Sequence, residues 1–153
     1  MGDVTVVVYD DTYAQQLEEM LVDFSREVYG YGKANLDQFV RNHWVIYLAK
    51  KGDEVIGFSS YNINDYFGLH PTTVGNSYLY VKPAHRKSKA SYLLVKQAGY
   101  VSIYTNLPLE TYYASEASKA IGSRILKTDG SFMYEVHMYS VDEIKEGYKI
   151  FEK

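Results

Sequence analysis

Leu79-Tyr80-Val81-Lys82-Pro83-Ala84-His85-Arg86-Lys87-Ser88-Lys89-Ala90-Ser91-Tyr92-Leu93-Leu94 is the stretch on which the fold turns. Asn76 to Lys82 reads as a strand, and Pro83 ends it because a proline has no amide for the ladder. A helix is predicted soon after, with Leu93, Leu94, Ala98 and Val101 as its buried stripe, finishing before Asn106-Leu107-Pro108. A strand that feeds directly into a helix leaves the first helical amides without partners and concentrates positive potential there, so the junction can hold a phosphate. Arg86, Lys87 and Lys89 add full charges at that point, suited to a diphosphate and a ribose phosphate.

The charge pattern singles out the same place. The net charge of the chain is only −3, which argues against a general nucleic-acid binder. Yet from Tyr66 to Leu109 there is no Asp or Glu, while Lys82, Arg86, Lys87, Lys89 and Lys96 all fall inside. The plain alternative is a solvated basic face; the strand-to-helix position favours a site. A nucleic-acid reading of these cations with their interleaved tyrosines is weaker because of the net acidity.

Working outward, Val4 to Val8 is a β-branched run stopped by Asp10-Asp11. Leu17, Met20, Leu21, Phe24 and Val28 recur at helical spacing, ended by Gly30 and Gly32. Asn35 is suited to cap a short second helix with Leu36, Phe39 and Val40 as its stripe. Trp44 to Ala49 and Val55 to Tyr61 read as a hairpin around Lys50-Lys51-Gly52-Asp53-Glu54. The segment Asn62 to Gly75 has no period and is predicted as a long loop. Leu109 to Ala114 is a further strand, Ser115 caps a helix with Ala117, Ala120, Ile121 and Leu126, and Ser131 to Tyr139 is the last strand. Ser140 followed by Glu143 is a capping box that opens a terminal helix with Ile144, Tyr148 and Phe151. The order describes an α/β or α+β fold, a sheet covered by helices. Its 153 residues suit one domain, 1–153.

There is no cysteine, hence no disulfide framework and no thiolate nucleophile. His43, His70, His85 and His137 are dispersed without metal-ligand spacing, so no metal site is expected. Neither a Walker-type phosphate loop nor a Gly-x-Ser-x-Gly elbow is present. The acidic N-terminus, with Val6 where myristoylation needs Ser or Thr, and the lack of an eighteen-residue apolar run lead to the expectation of a cytoplasmic protein without a membrane anchor.

The stretch Leu79 to Leu94 resembles motif A of the GNAT superfamily of N-acetyltransferases, and Val55-Ile56-Gly57-Phe58 resembles the second strand of that family's hairpin. The resemblance covers nearly the whole chain. It implies a mixed, mostly antiparallel sheet flanked by helices in one layer-packed domain. It also implies acetyl-CoA as cosubstrate and direct transfer of an acetyl group to a primary amine in a ternary complex. The family signature is Gln or Arg, two residues, Gly, one residue, then Gly or Ala. Arg86 fills the first place, while Lys89 and Ser91 replace the small residues. A glycine there lets the backbone approach a diphosphate closely, so Lys89 departs from the pattern. The implied cofactor-binding residues are Leu79, Tyr80, Val81, Arg86, Lys87, Ser88, Lys89, Ala90 and Ser91, with the amides of Leu79 and Val81 as backbone donors, one of them stabilising the oxyanion.

An amine with a pKa near ~10 must lose its proton before attack. Where many relatives carry a Glu just before the Leu-x-Val core, this chain has Asn76, Ser77 and Tyr78. Asp65 and His70 in the long loop and Glu110 on the next strand are then the candidates for base, acting through water. The relatives' thiolate-protonating Tyr is missing from Ser115 to Leu126, and Tyr112, Tyr113, Ser115 or Ser118 are the substitutes. Each also has a structural reading, tyrosine above all, since the chain holds 17. The acceptor is expected to be an amine, on a small molecule or a protein, presented near the 62–75 loop, and family members often form homodimers. The alternative is a family member that binds CoA or a partner without turnover.

Overall fold

A computed structural model describes residues 3–65, 67–69, 71–111 and 137–148. Their strands form a six-stranded sheet in chain order, β1 (Val4–Val8), β2 (Val45–Lys51), β3 (Glu54–Asn64), β4 (Thr73–Val81), β5 (Leu109–Thr111) and β6 (His137–Tyr139). The pairs β1–β2, β2–β3 and β5–β6 are antiparallel, and β4–β5 is parallel. The helices are α1 (Ala14–Tyr29), α2 (Leu36–Arg41), α3 (Lys89–Thr105) and α4 (Val141–Tyr148). The chain is therefore the mixed, mostly antiparallel α/β sheet with helices that the sequence implied. Among the described residues no helix is long and apolar enough to cross a membrane.

The fold comprises two compact units, one of residues 1–61 and 78–94, the other of 62–77 and 95–153. In the first, α1 and α2 cover one face of the sheet. Leu17, Met20 and Leu21 of α1 are buried against Ile46, Leu48, Val55, Phe58 and Tyr80, with Phe24, Leu36 and Phe39 packed around them. The predicted stripe ends a turn early, because Val28 is 54% exposed. Gly30 closes α1 at φ 77°, the left-handed conformation glycine adopts without steric cost, and its amide donates to Arg26. Asn35 caps α2 as expected, its side chain accepting from the Gln38 amide at 3.0 Å. On the opposite face Ala49, Ile56, Val81, Ala90 and Leu94 form a cluster of smaller side chains.

The hairpin contains a feature that the alternation of the sequence conceals. Lys50 pairs with Val55 but Ala49 pairs with Gly57, so Ile56 is an extra residue, a β-bulge. The bulge sets both Ile56 and Gly57 toward the α3 face: a Cβ built on Gly57 lies 2.8 Å from the Tyr80 carbonyl and 3.1 Å from Leu94. Gln16 of α1 pins the turn before it, accepting from the Val55 amide at 2.9 Å and donating to the Asp53 carbonyl at 3.1 Å.

In the second unit the predicted 62–75 loop is shorter than expected. β3 runs on to Asn64 and β4 already begins at Thr73, leaving residues 65–72 as the connection. Asparagine is a poor strand former, but here its side chains take part in the pairing: Asn62 donates to Ser77 at 3.1 Å and Asn64 to Glu110 at 3.2 Å. Gly75 lies close beside them, a Cβ built there meeting the Asn64 side-chain nitrogen at 2.5 Å. The Leu109 strand is described as far as Thr111 and the last strand over 137–139; the predicted Ser115 helix lies outside the described residues. The Ser140 capping box forms, with the Glu143 amide donating to the Ser140 hydroxyl and that hydroxyl donating to the Glu143 carboxylate, both at 3.1 Å.

Candidate functional site

β4 ends at Val81, and the carbonyl of the bulged residue Ile56 receives the next amide, that of Lys82, at 2.9 Å. Pro83–His85 then form a single 3-10 turn that reverses the chain into α3. Successive bonds hold the turn: His85 N–H to Lys82, Arg86 N–H to Pro83 and Ser88 N–H to His85. The Ser88 hydroxyl donates to the His85 carbonyl at 2.6 Å and accepts from the Ala90 amide at 3.2 Å. Ser88 is thus the cap of α3, a structural duty that the sequence reading, which placed it with the cofactor ligands, did not foresee.

The 17-residue helix α3 has no acidic residue in its first turn. With Ala90 capped by Ser88, the amides of Lys89 and Ser91 remain at the positive end of the helix dipole. Lys87 and Lys89 are exposed beside them, and Ala90 is fully buried against the sheet. The departure from glycine at Lys89 therefore falls on the solvent side of the helix start, where a long side chain meets no core. Tyr80 and Val81 are buried, and Leu79 and Val81 pack in the α3-face cluster while Tyr80 packs in the aromatic one. The side chains of Tyr80 and Val81 are committed to packing, and that of Leu79 is in part.

Arg86 is directed elsewhere than the sequence reading had it. Its Nε donates to the Val81 carbonyl at 2.9 Å, its Nη2 donates to both carboxylate oxygens of Glu27, and its guanidinium stands 5.4 Å from the Tyr80 ring centroid. The hydrogen bond to Glu27 raises the Arg86 pKa further, and burial, aided by the Glu27 charge, raises that of the Tyr80 phenol. Lys82 and His85, both half-buried, face the exposed Glu54 at 3.6 Å and 3.9 Å, long pairs of little energetic weight.

Of the base candidates, Glu110 has a defined setting within the second unit. It pairs in register with Gly75 and accepts from Asn64 at 3.2 Å and from the buried Thr73 hydroxyl at 3.5 Å. Asp65 instead turns its own loop, accepting from the Phe67 amide at 3.0 Å. His70, Tyr112 and Ser115, with Tyr113 and Ser118, lie outside the described residues. Glu27, Asn64 and Thr73 were missed in the sequence. Glu27 lies 59 residues from Arg86. Nothing local distinguishes it from the other acidic residues of α1.

Residues 9–99, more than half of the chain, match the sequence profile of the Acetyltransferase (GNAT) family. The chain belongs to this family. Its fold is shared by GNAT proteins of low sequence identity. The GNAT N-acetyltransferase YhbS of Escherichia coli, solved with CoA, superposes with a TM-score of 0.66 at 15% identity over 94% of this chain and 86% of that one. The Salmonella typhimurium protein yncA, solved with acetyl-CoA, gives 0.61 at 15% identity, covering 77% and 74%. An aminoglycoside acetyltransferase from an uncultured soil sample, bound to sisomicin, gives 0.63 at 9% identity, covering 89% and 94%. At such identities the likeness is one of fold. No curated protein sequence matches the chain.

Proposed function

We propose that this GNAT protein is a cytoplasmic acetyl-CoA-dependent N-acetyltransferase that acetylates a primary amine by direct attack. The observation that carries the reading is the start of α3, where the amides of Lys89 and Ser91 at a helix N-terminus stand with two exposed lysines and no acidic residue in the first turn. That donor set fits a diphosphate in charge and in hydrogen-bonding capacity. The GNAT proteins of the same fold solved with CoA or acetyl-CoA support it.

In this reading Lys87, Lys89 and the first-turn amides hold the diphosphate, and the backbone of Leu79 and Val81 holds the pantetheine arm. Acetyl-CoA supplies an activated acetyl thioester. The chain supplies orientation, which converts a bimolecular encounter into a reaction between aligned groups. Glu110, its two carboxylate oxygens oriented by Asn64 and Thr73, is the base candidate that the second unit offers, acting through water.

Calorimetry with acetyl-CoA, CoA and ATP, followed by a thiol-release screen against pooled amines, tests the proposal. Acetyl-CoA and CoA are expected to bind and ATP not to. Lys89→Glu should weaken CoA binding by about tenfold, one charged contact turned repulsive, whereas Lys89→Gly weakens it less. No CoA binding by the parent chain sinks the reading, and binding without turnover of any amine sinks its enzymatic half.

A further inference from the structure

The signature arginine invites the assumption that its guanidinium meets the phosphate. We propose instead that Arg86 is a positioning residue, a clamp that joins the end of β4 to the end of α1 and thereby fixes the entry into α3, leaving the phosphate charge to Lys87, Lys89 and the backbone. The inference rests on the acetyl-CoA reading above.

Three contacts define the clamp, and each engages a different part of the guanidinium. Nε donates to the Val81 carbonyl, the last of β4; Nη2 donates to Glu27; and the central carbon stands 5.4 Å from the Tyr80 ring centroid. Turning the group toward a diphosphate breaks all three together. Glu27 has its own need for Arg86. It sits in the last turn of α1, where the unpaired helix carbonyls carry partial negative charge, so a carboxylate without a cation is disfavoured there.

The far side of the clamp is rigid. Phe24, one turn before Glu27, meets Phe58 at 6.0 Å and Tyr80 at 5.3 Å between ring centroids, in edge-to-face contacts. Glu27 is therefore held by a helix whose packing is already set, and Arg86 transfers that fixity to the Pro83–Ser88 turn. The turn is otherwise held by its own short-range bonds, the one from Lys82 to the bulge, and the weak pairs of Lys82 and His85 with Glu54. Lys87, the neighbour of the clamp, is exposed and points its charge outward. An exposed ion pair is a weak stabiliser, so loss of Glu27 is expected to loosen the junction without unfolding the chain.

The two roles for Arg86 differ in sign. If its guanidinium bound the diphosphate, removing the competing Glu27 would free it and tighten CoA binding. As a clamp, losing Glu27 weakens binding even though a negative charge has been taken away from a polyanion's site. In the full chain, Glu27→Gln and Arg86→Gln are each expected to weaken CoA binding about three- to tenfold, and the double variant no more than either alone, as expected of groups that act as a unit. Arg86→Gln should leave the salt dependence of CoA affinity unchanged, while Lys87→Gln flattens it, because only a group in ionic contact with the phosphates contributes to that slope. Tighter CoA binding by Glu27→Gln, or a flattened slope in Arg86→Gln, overturns the proposal.

A readout without ligand separates this proposal from the functional one. In the parent chain the Arg86 Nε–H should exchange slowly with solvent by NMR and become fast in Glu27→Gln. Should the parent bind no CoA, the acetyltransferase reading falls and the clamp stands or falls on this exchange alone; an Nε–H unaffected by Glu27→Gln overturns it.

Discussion

The two faces of the sheet in the first unit are built on different plans. Toward α1 and α2 lies a thick aromatic layer in which Phe24, Phe39, Phe58, Tyr78 and Tyr80 meet edge to face or tilted, at 5.3–6.2 Å between centroids. Toward α3 the cluster holds no ring, with Ala49 and Ala90 beside Ile56, Val81 and Leu94, and Gly57 lets its strand approach the Tyr80 carbonyl. The rings of the first layer hold α1 and α2 on the sheet over a wide contact area. The close contact between Gly57 and the Tyr80 carbonyl leaves no room for displacement, because repulsion rises steeply at short range. The aromatic face therefore carries the stability of the unit, and the α3 face sets where the helix begins.

Neighbouring residues put that division to the test. Phe58→Ala removes a fully buried ring from the aromatic layer and should cost about 3–5 kcal/mol in urea unfolding, with a smaller loss of CoA affinity. Should CoA binding fall as steeply as stability, the two faces do not divide their labour.

Titration offers a second probe. Burial pushes the phenol pKa strongly up for Tyr61, which is fully buried, and up for Tyr80. A group whose folded pKa lies above its unfolded value of 10.0 contributes stability that is fully present below that pH and is lost as pH rises from there through the folded pKa. Stability should begin to fall near pH 10.0 and go on falling above it. Tyr61→Phe is expected to remove more of that fall than Tyr80→Phe; equal effects would mean that Tyr80 is as dry as Tyr61.

Gly57→Ala is the smaller change in stability and the sharper one for the site. A methyl group placed 2.8 Å from the Tyr80 carbonyl should cost about 1–3 kcal/mol and displace the strand that leads to α3. CoA affinity should drop by more than for Phe58→Ala, the inverse of their order in stability. The same order in both measurements breaks the comparison.

The elements were legible in the sequence wherever a local rule acts alone. The β-branched Val4 to Val8 run, the Asn35 cap and the Ser140 capping box form as the residues predict. Pro83 ends β4 within two residues of the strand's last member. Misreadings arose where side chains override propensity. Asn62 and Asn64 look like loop residues until Ser77 and Glu110 are seen to bond them. Val28 continues the helical stripe in spacing alone, and it is exposed.

By itself the sequence determined the element order among the described residues, the family and the strand-to-helix junction with its cations, since each follows from residues close together in the chain. Tertiary structure alone decided how that junction is used. It placed Ile56 as the extra residue whose carbonyl holds Lys82, assigned Ser88 to cap α3, and matched Arg86 with a carboxylate 59 residues away. The physical reason is that a donor or a charge is satisfied by whichever group folding brings within about 3 Å, and that choice is not written in the spacing of neighbours.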